Sequence, residues 1–181
     1  MKLQEKFDFL EDLLVHKRET IGIHTGVPFI MLTYDPKREM ECNYKRGTLK
    51  EKLKSKNLKV LDIPVGRFVF ESLKESGQLD QIFKYEKESP DEVREELTKR
   101  CKYYLKDWLL SKIEKEPPDI IFLTDIMSLH PYYRVSAIFT SLENDIKIPF
   151  VEFYPGEVKE NGKLYFLGEY ESSEYYRALK I

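Results

Sequence analysis

The sequence predicts a single α/β domain spanning residues 1–181, with a mostly parallel sheet of four to five strands, helices on both faces and a C-terminal antiparallel hairpin or edge strand. Two observations lead to this fold class: four apolar runs of strand length, and helix-like segments between them in the order β, α, β, helices, β, α, β. Strands that alternate with helices are typical of parallel sheets. With 41% hydrophobic residues, 181 residues suffice for one packed core.

The first half of the chain supplies two of the predicted strands. Residues 1–19 form an amphipathic helix, because apolar side chains recur there at intervals of three and four. The nearly continuous apolar run at residues 27–36, VPFIMLTYDP, predicts a buried first strand that ends at a proline. A polar, basic segment over 37–57 carries two leucines at helical spacing, and the short run at 58–66 predicts the second strand.

The middle of the chain is predicted to be helical. Residues 66–87 favour one or two short helices broken near Gly77. Ser89 to Glu92 are typical of a helix start, with a capping serine, a proline in the first turn and a glutamate three residues after the serine. The long helix that follows ends before Pro117-Pro118, and its apolar face is predicted to comprise Val93, Leu97, Cys101, Tyr104 and Trp108.

The last third alternates again between strand and helix. The run DIIFLT at 119–124 predicts the third strand, PYYRVSAIFTSLEND at 131–145 a helix, and IPFVEFY at 148–154 the fourth strand. Beyond it, Asn161-Gly162 lies between two short apolar arms. That dipeptide is a strong hairpin signal, so an antiparallel strand is expected there.

Charge and cysteine content exclude several classes of protein. The 30 basic and 32 acidic residues nearly cancel, which removes the argument from overall charge for a dedicated nucleic-acid binder. Cys42 and Cys101 are too few for a disulfide framework or a zinc site. No segment is typical of an export signal, and no run approaches about 18 apolar residues. A cytoplasmic protein with no membrane segment is therefore expected.

One stretch departs from this neutral balance. Lys37 to Lys59 holds nine lysines and arginines against three glutamates, so contact with nucleic acid is possible only here. Tyr44 is the aromatic residue within it, whereas single-stranded nucleic-acid sites usually interleave several. A solvated helix face is the simpler interpretation.

Three acidic residues follow predicted strands and form an alternative site. Asp35, Asp125 and Glu157 come after the first, third and fourth strands, whose carboxyl ends share one edge of a parallel sheet. Carboxylates can hold Mg²⁺, so a metal-dependent phosphoryl-transfer or degenerate nucleotide-binding module is one hypothesis. The simpler interpretation is that these acids cap loops and helices. Neither phosphate-binding glycine motif follows the first strand, so an enzyme is not favoured and no metal or cofactor is expected.

Aromatic and arginine residues near the C-terminus are candidates for partner binding. Tyr154, Pro155, Gly156 and Glu157 are predicted to form a turn after the fourth strand, and Arg134 lies at a helix start close to the same edge. The tail adds Tyr175, Tyr176 and Arg177. Aromatic residues and arginine dominate protein interfaces. They can equally hold a terminal segment against its own domain, and both readings of the tail stay open.

Four of these segments together resemble the BrxB family: VPFIMLTYDP, DIIFLTDIMSLHPYYR, IPFVEFYPGE and the closing GEYESSEYYRALKI. The family would carry a small glycine-containing turn after the third strand, where this chain has Asp125 to Ser128. The resemblance implies a cytoplasmic component of a bacteriophage exclusion (BREX) defence system that works within a multi-protein complex. It also implies a non-enzymatic adaptor whose partners are a PglZ-type phosphatase-fold protein first, then a large ATPase and a DNA methyltransferase.

Overall fold

A parallel five-stranded sheet lies between two helical layers in the computed structural model, which describes residues 1–160, 163–172 and 177–181. The strand order is β2-β3-β4-β1-β7, and each neighbouring pair is parallel. These strands are β1 (Phe29–Tyr34), β2 (Val60–Pro64), β3 (Ile120–Thr124), β4 (Phe150–Val158) and β7 (Leu179–Lys180).

The helices divide between the two faces of this sheet. The first layer consists of α1 (Leu3–His16) and α2 (Glu39–Ser55), and the second of α3 (Arg67–Glu75), α4 (Leu79–Glu88), α5 (Pro90–Lys115) and α6 (Val135–Leu142). The predicted fold class is therefore confirmed. Because both faces are covered, every residue of β1 and β3 is buried, as their nearly continuous apolar runs indicated.

Successive residues of β1 pack toward alternate helical layers. In β1, Phe29 and Met31 pack toward the four-helix layer, whereas Ile30 and Leu32 pack toward α1 and α2. The ring of Phe29 lies 5.0 Å from that of Phe139 on α6, centre to centre. One strand thus joins two separate apolar clusters into one structure.

In the second half of α5, the buried face lies one residue further along the chain than predicted. Val93, Leu97 and Cys101 are buried as predicted, but the face continues through Leu105 and Leu109. Tyr104 is 59% exposed, so its assignment to the apolar face was wrong. The helix begins at Pro90 as predicted, although the Ser89 side chain makes no capping hydrogen bond.

The strand β4 is longer than predicted. The turn expected at Tyr154 to Glu157 is absent, because β4 continues through these residues to Val158. Residues 156–158 pair antiparallel with β5 (Leu164–Phe166), which pairs antiparallel with β6 (Tyr170–Ser172). We call residues 156–158, β5 and β6 the meander. It confirms the expected antiparallel element, while Asn161-Gly162 itself lies outside the described residues.

Proline and glycine are accommodated in β4 for local reasons. Pro155 lacks an amide hydrogen, but its carbonyl oxygen accepts a hydrogen bond of 2.8 Å from the Leu167 amide. At Gly156 a Cβ atom would lie 2.2 Å from the carbonyl oxygen of Tyr165. Gly156 therefore permits the close approach of β5 to β4.

Among the described residues, no helix combines the length and the apolarity that crossing a membrane would require.

Candidate functional site

The carboxyl edge of the sheet has the topology of a ligand crevice, but the chain fills it. The helix after β1 packs on one face of the sheet and the helix after β3 on the other, with β4 between these two strands. In open α/β sheets, ligands bind where the helices that follow nearby strands cross to opposite faces of the sheet. Here β4 runs straight through that place as a strand, so the accessible cavity lies beside it.

That cavity, the aromatic pocket, lies between the meander and the start of α6. It has a volume of about 290 Å³. The residues that form its walls and floor include His130, Tyr133, Arg134, Tyr154, Phe166 and Tyr170. The volume suits one or two side chains of a partner, because pockets for drug-sized ligands start at about 300 Å³.

Ring contacts hold the walls of the aromatic pocket. The His130 ring lies 4.6 Å from the ring of Tyr170 and 5.5 Å from that of Phe166, centre to centre. Tyr154 meets Phe166 edge-on at 5.4 Å. Three separate parts of the chain, the loop before α6, β4 and the meander, are thereby joined through aromatic rings.

Charged groups of both signs line the aromatic pocket. Glu171 lines the rim, but a hydrogen bond from Lys163 lowers the pKa of its carboxyl group, and the two form an ion pair. Arg134, at the N-cap of α6, and the His130 ring line the same pocket. The positive end of the helix dipole adds to these groups.

The predicted YPGE residues form the floor of this region. Tyr154, Pro155 and Gly156 are buried, so they support this region from within and do not form its exposed part. Tyr154 lines the pocket from below, and Glu157 is exposed on the meander. Their burial follows from β4 continuing as a paired strand.

The tail residue Arg177 contacts its own domain. Its guanidinium donates to Glu143 at 2.5 Å and to the carbonyl oxygen of Thr25 at 3.2 Å. These bonds hold the segment before β7 against the end of α6, which supports the pinning interpretation for this arginine. Tyr175 and Tyr176 lie outside the described residues.

The three acids of the alternative site are not brought together as a metal centre. The Asp35 side chain accepts a hydrogen bond from the Lys37 amide at 2.9 Å, which is a capping contact. Asp125 accepts from the Ser128 hydroxyl, and Glu157 extends from the meander. Among residues 1–160, 163–172 and 177–181, no three His, Cys, Asp or Glu side chains are grouped so that they could hold a metal ion.

Asp125 also explains a departure from the family pattern. It adopts a left-handed conformation with φ of 58°, the region that favours glycine. Aspartate tolerates this conformation better than most residues. The backbone therefore makes a glycine-like turn after β3 without a glycine.

The basic stretch from Lys37 to Lys59 is largely engaged within the chain. Ion pairs link four of its nine basic residues to acids: Arg38 and Lys45 to Glu41, Lys50 to Asp62 and Lys52 to Glu11. The guanidinium of Arg46 lies over the Phe153 ring at 5.7 Å. These contacts are typical of a solvated helix face.

Several residues that matter at this edge were not identifiable from sequence patterns. Phe166 and Tyr170 belong to no recognisable motif and reach the aromatic pocket through the fold of the meander. Glu152 is fully buried in the middle of β4, and neither of its carboxylate oxygens has a hydrogen-bond partner among the described residues. Burial raises the pKa of Glu152 well above its ordinary value.

Neither cysteine is placed for chemistry. Cys42 and Cys101 are both buried, and burial raises the pKa of each thiol to about 12. At neutral pH both stay protonated and therefore unreactive.

Residues 61–181 match the protein family described as "BREX protein BrxB". A curated relative named BREX protein BrxB, from Bacillus cereus (strain H3081.97), is 27% identical over 170 residues. The similarity covers 91% of this chain and 88% of that protein. No solved structure matches the chain.

Proposed function

The chain belongs to the BrxB family of BREX proteins, and from that premise we propose that it acts as a non-enzymatic adaptor within a BREX phage-defence complex. The observation that carries the proposal is the aromatic pocket. Aromatic rings and arginine are enriched where interfaces gain most of their binding energy, and this pocket combines both. Its small volume favours a side chain of a partner over a whole substrate.

The proposed partner is a PglZ-type phosphatase-fold protein first, followed by the large ATPase and the DNA methyltransferase, in the cytoplasm. Aromatic rings and the start of α6 line the pocket, so we expect the docked side chain to be aromatic or acidic. Glu157, exposed beside the pocket, belongs to the rim of this proposed surface, whereas Tyr154, Pro155 and Gly156 support it from within.

Co-purification tests this surface directly. A tagged form of the protein is expressed with the PglZ-type protein of its own defence system, and the recovered partner is quantified for wild type and for an Arg134→Ala/Tyr170→Ala variant. Loss of two hot-spot side chains is expected to weaken association by at least about tenfold. Phage plating efficiency on cells with each variant gives the functional readout.

Tyr85→Ala is the matched control. Tyr85 and Tyr170 are each 50% exposed, but Tyr85 lies on α4, away from the aromatic pocket. We expect its variant to recover the partner as wild type does. Full recovery by the Arg134→Ala/Tyr170→Ala variant would remove the pocket from the interface. Failure of wild type to retain the PglZ-type protein, the ATPase or the methyltransferase would contradict the adaptor role.

A further inference from the structure

A second recessed surface lies between α3 and α5 in the four-helix layer. We call it the α5 groove. Its volume is about 810 Å³ and it is open to solvent. One stripe of α5 lines it at helical spacing, and the residues that matter below are Glu96, Arg100, Tyr104, Trp108, Lys112 and Lys115.

The aromatic residues of the α5 groove differ in exposure. Tyr104 is 59% exposed, so its ring is accessible in the middle of α5. Trp108 is half-buried, and its ring meets Phe68 edge-on at 5.6 Å. Its indole N–H donates to Glu71 at 3.0 Å. The tryptophan is therefore held in place, and docking against it would cost little side-chain entropy.

Charge is distributed asymmetrically along the same stripe. Glu96 lies toward the N-terminal end, Asp107 lies in the middle, and Lys115 lies at the C-terminal end beside Lys112, which is ion-paired with Glu71. Beneath them Arg100 is buried, where it donates to the Ser72 carbonyl oxygen and to Glu96, each at 3.2 Å. With Glu96 at one end and Lys115 at the other, the two ends of this stripe are complementary to those of a second, reversed stripe.

We propose that a second copy of this chain docks in the α5 groove, with the two α5 helices antiparallel about a two-fold axis near residues 105–106. In such an interface each contact occurs twice, because residue i of one copy meets residue j of the other and the reverse. Glu96 of each copy then faces Lys115 of the other, and the two Tyr104 rings lie near the axis. The antiparallel arrangement also opposes the two helix dipoles.

Charge reversal tests the pairing of Glu96 with Lys115. Analytical ultracentrifugation over a range of concentrations is expected to show a monomer–dimer equilibrium for wild type. Lys115→Glu and Glu96→Lys each place like charges together twice, so each should weaken dimerisation by roughly tenfold or more. The Glu96→Lys/Lys115→Glu variant should restore it.

Restoration by the double variant can come only from contact between copies. The two residues are 19 positions apart on one helix, about 28 Å at 1.5 Å per residue, so they do not meet within a chain. Circular dichroism melts show whether each variant is folded, because Glu96→Lys also removes an ion pair to Arg100. If that variant does not fold, Lys115→Glu and the crosslinking below decide the matter.

Crosslinking gives an independent readout near the two-fold axis. Tyr104→Cys is treated with a short bismaleimide, and a covalent dimer is expected, whereas Tyr85→Cys on α4 should remain a monomer. The native Cys42 and Cys101 do not interfere, because both are buried with raised pKa. A wild-type protein that stays monomeric at every concentration, or a Tyr104→Cys variant that crosslinks no better than Tyr85→Cys, would overturn the proposal.

Discussion

Glu152 places a carboxyl group in the middle of the sheet. In the strand register it lies between Met31 of β1 and Leu123 of β3, and Phe150 and Tyr154 flank it on the same face. Both carboxylate oxygens lack a hydrogen-bond partner among the described residues. A charged carboxylate is costly there, so the folded protein retains the proton and the pKa is raised.

This burial makes stability depend on pH in a predictable direction. The unfolded chain releases the Glu152 proton near the ordinary value of about 4.3, whereas the folded chain holds it to higher pH. Between these two values the folded state binds more protons, so stability falls as pH rises. Glu152→Gln removes this titration and is expected to be more stable than wild type at pH 8, by about 1 kcal/mol or more, roughly 2–4 °C in Tm.

Thermal denaturation at several pH values measures this difference. The gap between Glu152→Gln and wild type should widen as pH increases from about 5 to 8. Glu157→Gln serves as the control, because Glu157 lies on the same strand but is exposed. Equal pH dependence for Glu152→Gln and wild type would show that Glu152 does not keep its proton in the folded state.

At the scale of elements, β4 passes from parallel to antiparallel pairing at Gly156. A Cβ atom there would approach the Tyr165 carbonyl oxygen to 2.2 Å and the Tyr154 ring to 2.6 Å. The oxygen belongs to the backbone of β5 and cannot simply rotate away. We expect Gly156→Ala to displace the meander and destabilise the protein by about 2 kcal/mol or more.

Gly47 provides a matched control for this substitution. It lies inside α2, where an added Cβ meets nothing within 4 Å. Gly47→Ala should therefore stabilise the protein by about 0.5–1 kcal/mol, since alanine is the better helix former. Chemical denaturation of both variants measures the two effects. Similar changes in both would mean that the approach of β5 to Gly156 is not tight.

The sequence predicted the central elements because each carries its own signal. The four apolar runs gave β1 to β4, and Pro90 and Pro117-Pro118 marked the ends of α5. The extension of β4 was not predictable, since Pro155-Gly156 is typical of a turn. What decides it is pairing with β5, a contact between distant residues. Tyr104 was misassigned for a similar reason, because Leu105 competes for the same face and packing decides between them.

Less of the candidate site than of the fold could be predicted. Arg134 and Tyr154 were proposed from the sequence, and both line the aromatic pocket. Tyr170 and Phe166 reach it through the meander, whose position depends on the unpredicted part of β4. Glu152 is hidden in a run that is otherwise apolar. Burial and partner geometry arise from tertiary contacts, which single-sequence patterns do not contain.

At the scale of the whole molecule, both helical layers depend on one sheet. Five apolar residues of α1 are buried against it: Leu3, Phe7, Leu10, Leu13 and Leu14. Burial of side chains of this size contributes roughly 1.5–3 kcal/mol each, which together is comparable to the whole stability of a typical domain. We therefore expect a variant that lacks residues 1–16 to lose its cooperative fold.

Trp108 reports this loss from the other layer. It lies on α5, across the sheet from α1, so its fluorescence should change only if the two layers fold as one domain. In the full-length protein, Trp108 fluorescence and circular dichroism should give coincident melting curves. A truncated protein whose Trp108 still melts cooperatively would show that the four-helix layer folds independently of α1.

The nine-residue strand β4 also has a mechanical consequence. Its first half lies between β1 and β3, and its second half pairs with β5 in the meander. A single continuous strand therefore connects the aromatic pocket to the middle of the sheet. Tension applied to the meander acts along the strand axis and loads the hydrogen bonds of both neighbouring ladders in shear, all at once. Opening them one at a time would require a pull across the sheet. The strand next to the proposed contact surface therefore resists being pulled out of the sheet.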